Sequence, residues 1–143
     1  MTRLFEFADS EISRIETLPA GLVIRFAAAM LCVPEANEAL SSRRSLRQGY
    51  TNGLSLVLTG ALVTGDMAAC TGRLAEGQLV LVQERLRALP VPSLYAADGA
   101  HGAGGAALRL ELQSAQGAWL RIDATGLRCE EAADARFHEA FQC

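Results

Sequence analysis

His101 and His138 are the only histidines in the chain. Any Ser–His or Cys–His nucleophile pair, in which the imidazole takes a proton from the attacking group, must therefore use one of them. Neither comes with a Gly-x-Ser-x-Gly turn, the strained elbow that presents a serine in one large class of hydrolases. Both fall in segments of weak periodicity and read as solvated imidazoles. Cys32, Cys70, Cys129 and Cys143 are scattered, without a C-x-x-C pair or a histidine at ligand spacing, so they do not compose a zinc site. In a reducing compartment they read as small apolar residues of the interior, with Cys143 exposed at the terminus. Glu130 and Glu131 are sequence neighbours that nothing places in a cleft, and they read as a solvated edge. No catalytic, metal-binding or cofactor-binding residue is assigned, and no cofactor is implied.

Two further stretches have the composition of anion sites. Asp98-Gly-Ala-His101-Gly-Ala-Gly-Gly105 is glycine-rich, as phosphate cradles are, because backbone amides must approach the anion closely. Here no Gly-Lys-Ser/Thr follows, the spacing is not G-x-G-x-x-G, and the residues after Gly105 read as a strand. A flexible strand connection accounts for it better. Arg43, Arg44 and Arg47 form the one local basic cluster, whose guanidinium groups suit a carboxylate or phosphate through paired hydrogen bonds. They are the candidate partner-binding residues, weighed against a solvated helix end or loop.

The elements that must position these groups are mostly strands. Leu22, Ile24 and Phe26 alternate with Val23 and Arg25, which sets one apolar face on an extended chain. Ala27 to Val33 stays apolar on both sides, so that strand either continues under cover on both faces or ends in the alanine run. Leu54 to Thr64 reads as a strand with a bulge or bend at Gly60, and Gln78 to Ala88 as a strand stopped by Pro90 and Pro92. The sharpest expectation is a hairpin. Leu108, Leu110 and Leu112 alternate with Arg109 and Glu111, while Leu120 and Ile122 alternate with Trp119, Arg121 and Asp123. A loop of Ala115, Gln116 and Gly117, with Gly117 in the left-handed conformation, sets Leu112 against Leu120, Leu110 against Ile122, Glu111 against Arg121 and Arg109 against Asp123. A slip of one residue would place leucine against arginine. Thr125-Gly126 then leads into a short strand over Leu127 to Cys129. Pro34 to Gln48 reads as a short helix or a long loop, and Glu130 to Phe141 as a tail whose few large apolar residues make a poor amphipathic helix.

Composition bounds the rest. The 143 residues match one domain, half of them are hydrophobic, and 20% are charged, which excludes a disordered chain. All 13 basic residues are arginine, a bias expected from a GC-rich genome. With a net charge of -3 there is no basic footprint for nucleic acid. The uncharged run from Gln48 to Gly65 holds about a dozen apolar positions where a membrane span needs about 20, so no membrane partner is expected. The first residues lack the apolar core of a secretory signal, and the expected location is the cytoplasm. Positive mean hydropathy and sheet edges that need cover point to a homo-oligomer. The expected fold is all-β, an antiparallel barrel or half-barrel of about six to eight strands with at most one or two short helices.

The opening Phe5-Glu-Phe7-Ala-Asp9-Ser10-Glu-Ile12-Ser-Arg-Ile15, followed by a turn and an alternating strand, resembles the start of several families of small bacterial β-rich proteins of unknown function. Some of these are grouped as immunity proteins, which neutralise toxins from neighbouring cells. The final L-x-L-x-L, Gly117, L-x-I and Gly126-Leu127 layout is similar too. The resemblance implies an antiparallel sheet rolled into a partial barrel and no catalytic residues. On the residues alone, Asp9 and Ser10 read as a turn or cap entering the next element. The functional expectation is a non-enzymatic module that binds another protein through a strand edge or polar patch. The alternatives are a barrel holding a small apolar ligand and, third, an enzyme of unrecognised type.

Overall fold

The computed structural model describes residues 3–34, 46–96 and 108–139. In chain order its strands are β1 (Arg3–Leu18), β2 (Gly21–Pro34), β3 (Leu46–Thr51), β4 (Leu54–Thr59) and β5 (Leu62–Gly65). After a 3-10 turn at Ala68–Cys70 come β6 (Gly72–Val80), β7 (Arg85–Leu86), β8 (Ala88–Val91) and β9 (Ser93–Ala96). The last are β10 (Leu108–Ser114), β11 (Trp119–Ala124), β12 (Gly126–Glu131) and β13 (Phe137–Glu139). All pairings are antiparallel, and the sheet runs β5-β11-β10-β6-β1-β2-β4-β12-β9. Strand β3 pairs with β2 and β13, β7 with β6, and β8 with β1.

The all-β antiparallel class is as expected. The count is not: among the described residues there are thirteen strands, and the sheet they form is not closed into a barrel. Long extended segments are cut wherever the sheet bends. Strands β3 and β4 lie end to end along β2, broken at Asn52-Gly53, and β13 and β12 repeat that break alongside them. Hydrogen bonds stitch the two breaks together, Ala132 N–H to the Gly53 carbonyl at 2.8 Å and Arg136 N–H to Asn52 Oδ1 at 3.0 Å. The tail beyond Glu130 therefore returns to strand at β13, while residues 35–45, which contain most of the helix-or-loop segment, lie outside the described residues.

Two strand boundaries move for local reasons. Gly60, at φ +60°, is a junction between strands and not a bulge inside one, because β4 joins β2 and β12 while β5 joins β11 at the far end of the sheet. Pro90 does not stop its strand. It lies inside β8 opposite Leu4, on a strand bonded to β1 alone among the described residues, where a missing N–H costs little.

The C-terminal hairpin has the expected register, with Leu112 opposite Leu120, Leu110 opposite Ile122, Glu111 opposite Arg121 and Arg109 opposite Asp123. Gly117 sits at φ +93°, and Ser114 N–H donates to the Ala118 carbonyl at 2.8 Å. The Ser114 hydroxyl accepts from Gln116 N–H and Ala118 N–H, so it satisfies the amides that the tight loop turns inward.

The core joins both halves of the sheet. Phe5 meets Phe7 and Phe26 edge to face, with ring centroids 4.9 and 5.0 Å apart. Aliphatic side chains surround these rings, Ile24, Leu31, Leu56 and Leu58 from one half and Leu74, Leu79, Leu110, Leu112 and Ile122 from the other. Gly77 makes the junction possible, since a Cβ there would stand 2.8 Å from Cβ of Phe7 and 2.9 Å from Cδ2 of Leu112.

Asp9 and Ser10 are not a turn between elements but a bulge inside β1. The register passes from Glu6 opposite Met30 directly to Glu11 opposite Ala28, and Asp9 takes the left-handed conformation at φ +68°. Both strands change phase here. Inward residues go from Phe5 and Phe7 to Ser10 and Ile12 in β1, and from Leu22, Ile24 and Phe26 to Ala29 and Leu31 in β2. Strand β2 thus continues through the alanine run, and beyond it Met30 (9% exposed) and Cys32 (4%) are covered on the second face as well. The buried Ser10 hydroxyl accepts from Met30 N–H at 2.8 Å and donates to the Glu6 carbonyl at 2.6 Å, bridging two residues that face each other across the strands. Replacing Ser10 by alanine strands both backbone groups in the core, and the expected loss is about 1–3 kcal/mol in urea unfolding. A loss below about 0.5 kcal/mol, within the range of ordinary surface changes, would show that the strands close this gap without the hydroxyl.

Candidate binding groove at the β5 edge

Along the boundary of β11 and β5 runs a groove of about 550 Å³ lined by Thr64, Gly65, Glu111, Trp119, Leu120 and Arg121. The alternation of β11 creates it. Leu120 and Ile122 point into the core, so Trp119 and Arg121 must project outward from the strand next to the edge. Strand β5 ends at Gly65, at φ +116°, where a Cβ would stand 2.6 Å from the Trp119 carbonyl oxygen, so only glycine lets the edge lie this close. Trp119, the single tryptophan of the chain, is 54% exposed, and Leu62 at the other end of β5 is 69% exposed.

The outward face of this half-sheet is arranged in cross-strand rows. In one row Arg109 Nε lies 2.9 Å from Asp123 Oδ1, and that hydrogen bond is the chief cause holding the Arg109 guanidinium above its ordinary pKa. In the row at Trp119, the Gln113 amide satisfies both neighbours when its oxygen is assigned to the indole side: it then accepts from Trp119 Nε1 at 3.3 Å and donates to Glu76 Oε2 at 2.9 Å, which holds the indole by its polar edge. The middle row is uneven. Glu111 stands between Gln78 on β6 and Arg121 on β11, and it accepts from Gln78 Nε2 at 2.7 Å. The complementary pair expected from the register does not close as an ion pair, and Arg121 has no hydrogen-bond or ion-pair partner among the described residues.

A second, smaller cleft of about 190 Å³ lies at the β1 bulge, lined by Asp9, Glu11, Ala28, Tyr50 and Arg73. Two of its charges are engaged with each other: Arg73 Nη2 lies 3.0 Å from Asp9 Oδ1, tying the bulge to β6. Glu131 is engaged as well. In place of the solvated edge that its sequence context suggests, its side chain is only 12% exposed, where it pairs with Arg3 and accepts from the Thr51 hydroxyl at 2.5 Å. That carboxylate joins β12 to β1 and β3.

Of the basic cluster read from the sequence, Arg43 and Arg44 lie outside the described residues, and Arg47 enters β3 with its backbone opposite Val33. His101 and Cys143 also lie outside the described residues. His138 is exposed on β13, opposite Tyr50. Among the described residues, no group of three or more His, Cys, Asp or Glu is placed to hold a metal ion. The residues missed by sequence reasoning are Trp119, Arg121 and Thr64. The signal for the first was present, a lone tryptophan on the solvent-facing phase of a strand, whereas nothing local marks Thr64 as an edge residue.

Compared with protein-family models, curated proteins and solved structures, the chain gives no significant match.

Cys32, Cys70 and Cys129 are buried and unbridged. Burial is the leading cause that raises all three thiols above their ordinary pKa, and Cys129 is pushed up to about 12. Native Cys129 at pH 8 should therefore have a thiolate fraction roughly a thousandfold below that of an ordinary thiol, and alkylation mapped by mass spectrometry should modify it only after unfolding. The linkage has a definite sign. Above pH 9 the unfolded thiol loses its proton while the native one keeps it, so stability falls between pH 9 and about 12. The fall should be shallower in Cys129→Ala; equal slopes in the two proteins would count against a raised thiol.

Proposed function

We propose that this chain is a non-enzymatic protein-binding module that takes up an extended segment of another protein along the free side of β5. One observation carries the reading. Strand β5 is the end of the sheet, bonded to β11 alone among the described residues, and it borders the groove at Trp119. In an antiparallel pair, successive residues alternate between bonding their neighbour and pointing their N–H and C=O groups outward. An added strand satisfies the outward groups, while a half-exposed tryptophan beside the edge supplies the rigid aromatic anchor that dominates many interfaces. The other end of the sheet, β9, carries the exposed Leu94 but does not border this groove.

The resemblance of the N-terminal segment and the C-terminal hairpin to families of small bacterial β-rich proteins, some of them grouped as immunity proteins, supports the same class of function, with a toxin protein as the partner and the cytoplasm as the compartment. A carrier of small apolar ligands has less to stand on. The sheet does not close around a lumen, and aromatic and aliphatic side chains fill the space between its halves. For an enzyme, His138 offers no nucleophile hydrogen-bonded to it among the described residues.

The test is differential capture combined with a footprint. The outward-pointing amides of β5 are those of Val63 and Gly65, since Thr64 bonds Arg121, and Val63→Pro removes one of them and obstructs pairing at the edge. A true partner should be retained by the unaltered protein, lost by a folded Val63→Pro variant, and should slow hydrogen exchange over residues 62–65. A partner held equally by both proteins, or one that protects a different strand, would overturn the assignment of β5.

A further inference from the structure

From the middle row of the half-sheet we infer the chemistry of the segment that β5 accepts: an acidic side chain facing Thr64, with an apolar residue two positions to either side. The inference rests on the strand-addition reading and specifies its occupant. Residues directly opposite in an antiparallel sheet share a face, so a residue facing Thr64 extends the row Gln78, Glu111, Arg121, Thr64. Within that row Glu111 is taken by Gln78, and Arg121 is a cation without an acid among the described residues. The incoming strand lies two strand spacings, about 9.6 Å, from the Arg121 backbone, a gap that an arginine and a glutamate side chain span together over the small Thr64.

The neighbouring rows ask for a different chemistry. Their charges are already answered, Arg109 by Asp123 in one row and Glu76 by Gln113 in the other. What they leave exposed is apolar, Leu62 on β5 and the indole of Trp119. The pattern is therefore apolar-x-acidic-x-apolar, and it reads the same for a parallel or an antiparallel approach.

A second copy of this chain fits less well. Pairing β5 with itself about Thr64 places two Arg121 cations in one row, and pairing it about Val63 brings Leu62 to the position facing Thr64. Neither register supplies a carboxylate to Arg121, and pairing about Gly65 would face Thr64 with Asp66, which lies beyond β5 and whose Oδ1 already accepts from the Ala68 and Ala69 amides.

Because Trp119 is the only tryptophan, its emission reports on this groove directly. The probes are acetyl-Val-Thr-Glu-Thr-Val-amide, its Gln counterpart, and a Glu version N-methylated at alternate amides, each titrated to millimolar concentration. The Glu peptide should bind about fivefold more tightly than the Gln peptide, the size expected of a surface ion pair. That preference should vanish in Arg121→Ala with its thermal melt unchanged, and N-methylation should weaken binding to either protein. Equal binding of Glu and Gln peptides, with N-methylation still disruptive, would overturn the acidic inference and leave the strand edge standing. A Glu preference insensitive to N-methylation would overturn strand addition and the segment with it. Absence of any response would overturn both.

Discussion

The hydroxyl of Ser10 stands between the Met30 amide and the Glu6 carbonyl, at the point where β1 carries extra residues that β2 does not match. A bulge in the middle of a long hairpin frees backbone groups inside the core, and free groups there cost more than most single side-chain contacts return. With the hydroxyl in place, β1 changes phase without losing its pairing. Its first part lies between β2 and β8, and beyond the bulge Glu11 and Ile12 pair with β6. Among the described residues the hydrogen-bonded ladder crosses from one half of the sheet to the other at the β1–β6 pairing, so the bulge helps place everything built on β6, including the groove.

Packing then consolidates what the bulge allows. Phe7 lies just before the phase change and packs where Gly77 leaves room on β6, next to Leu112 of the hairpin. Asp9 takes a left-handed conformation that an L-residue adopts at some cost, and its carboxylate is held by Arg73 on that same strand β6. At the far side, Glu131 of β12 gathers Arg3 of β1 and Thr51 of β3. These polar ties sit where the sheet changes direction, the places where ladder hydrogen bonds are interrupted.

The outer face of the β6-β10-β11-β5 half shows how a binding surface follows from a register. Each cross-strand row contains donors and acceptors, and in two of the rows they are answered internally. In the middle row Glu111 has two suitors and bonds only one. Arg121, without a partner among the described residues, lies beside the exposed tryptophan and next to the last strand of the sheet. Charge, aromatic surface and open ladder thus coincide at β5 because β11 is its neighbour.

Much of this was legible in the residues alone. The all-β class, the Leu22-Ile24-Phe26 face and the full β10–β11 register followed from alternation and turn chemistry, and the burial of Cys32, Cys70 and Cys129 from the apolar character of an unbridged thiol. Those signals are local: a strand repeats every second residue, and a tight loop dictates which residues face each other. The Arg43, Arg44 and Arg47 cluster drew attention for the same local reason, as adjacent like charges. What tertiary structure alone decided depends on partners distant in the chain. Gln78 reaches Glu111 before Arg121 does, Gly60 separates two strands sent to different parts of the sheet, and Ser10 answers an amide in another strand. No period in the sequence records which strand becomes an edge, because an edge is defined by the neighbour it lacks.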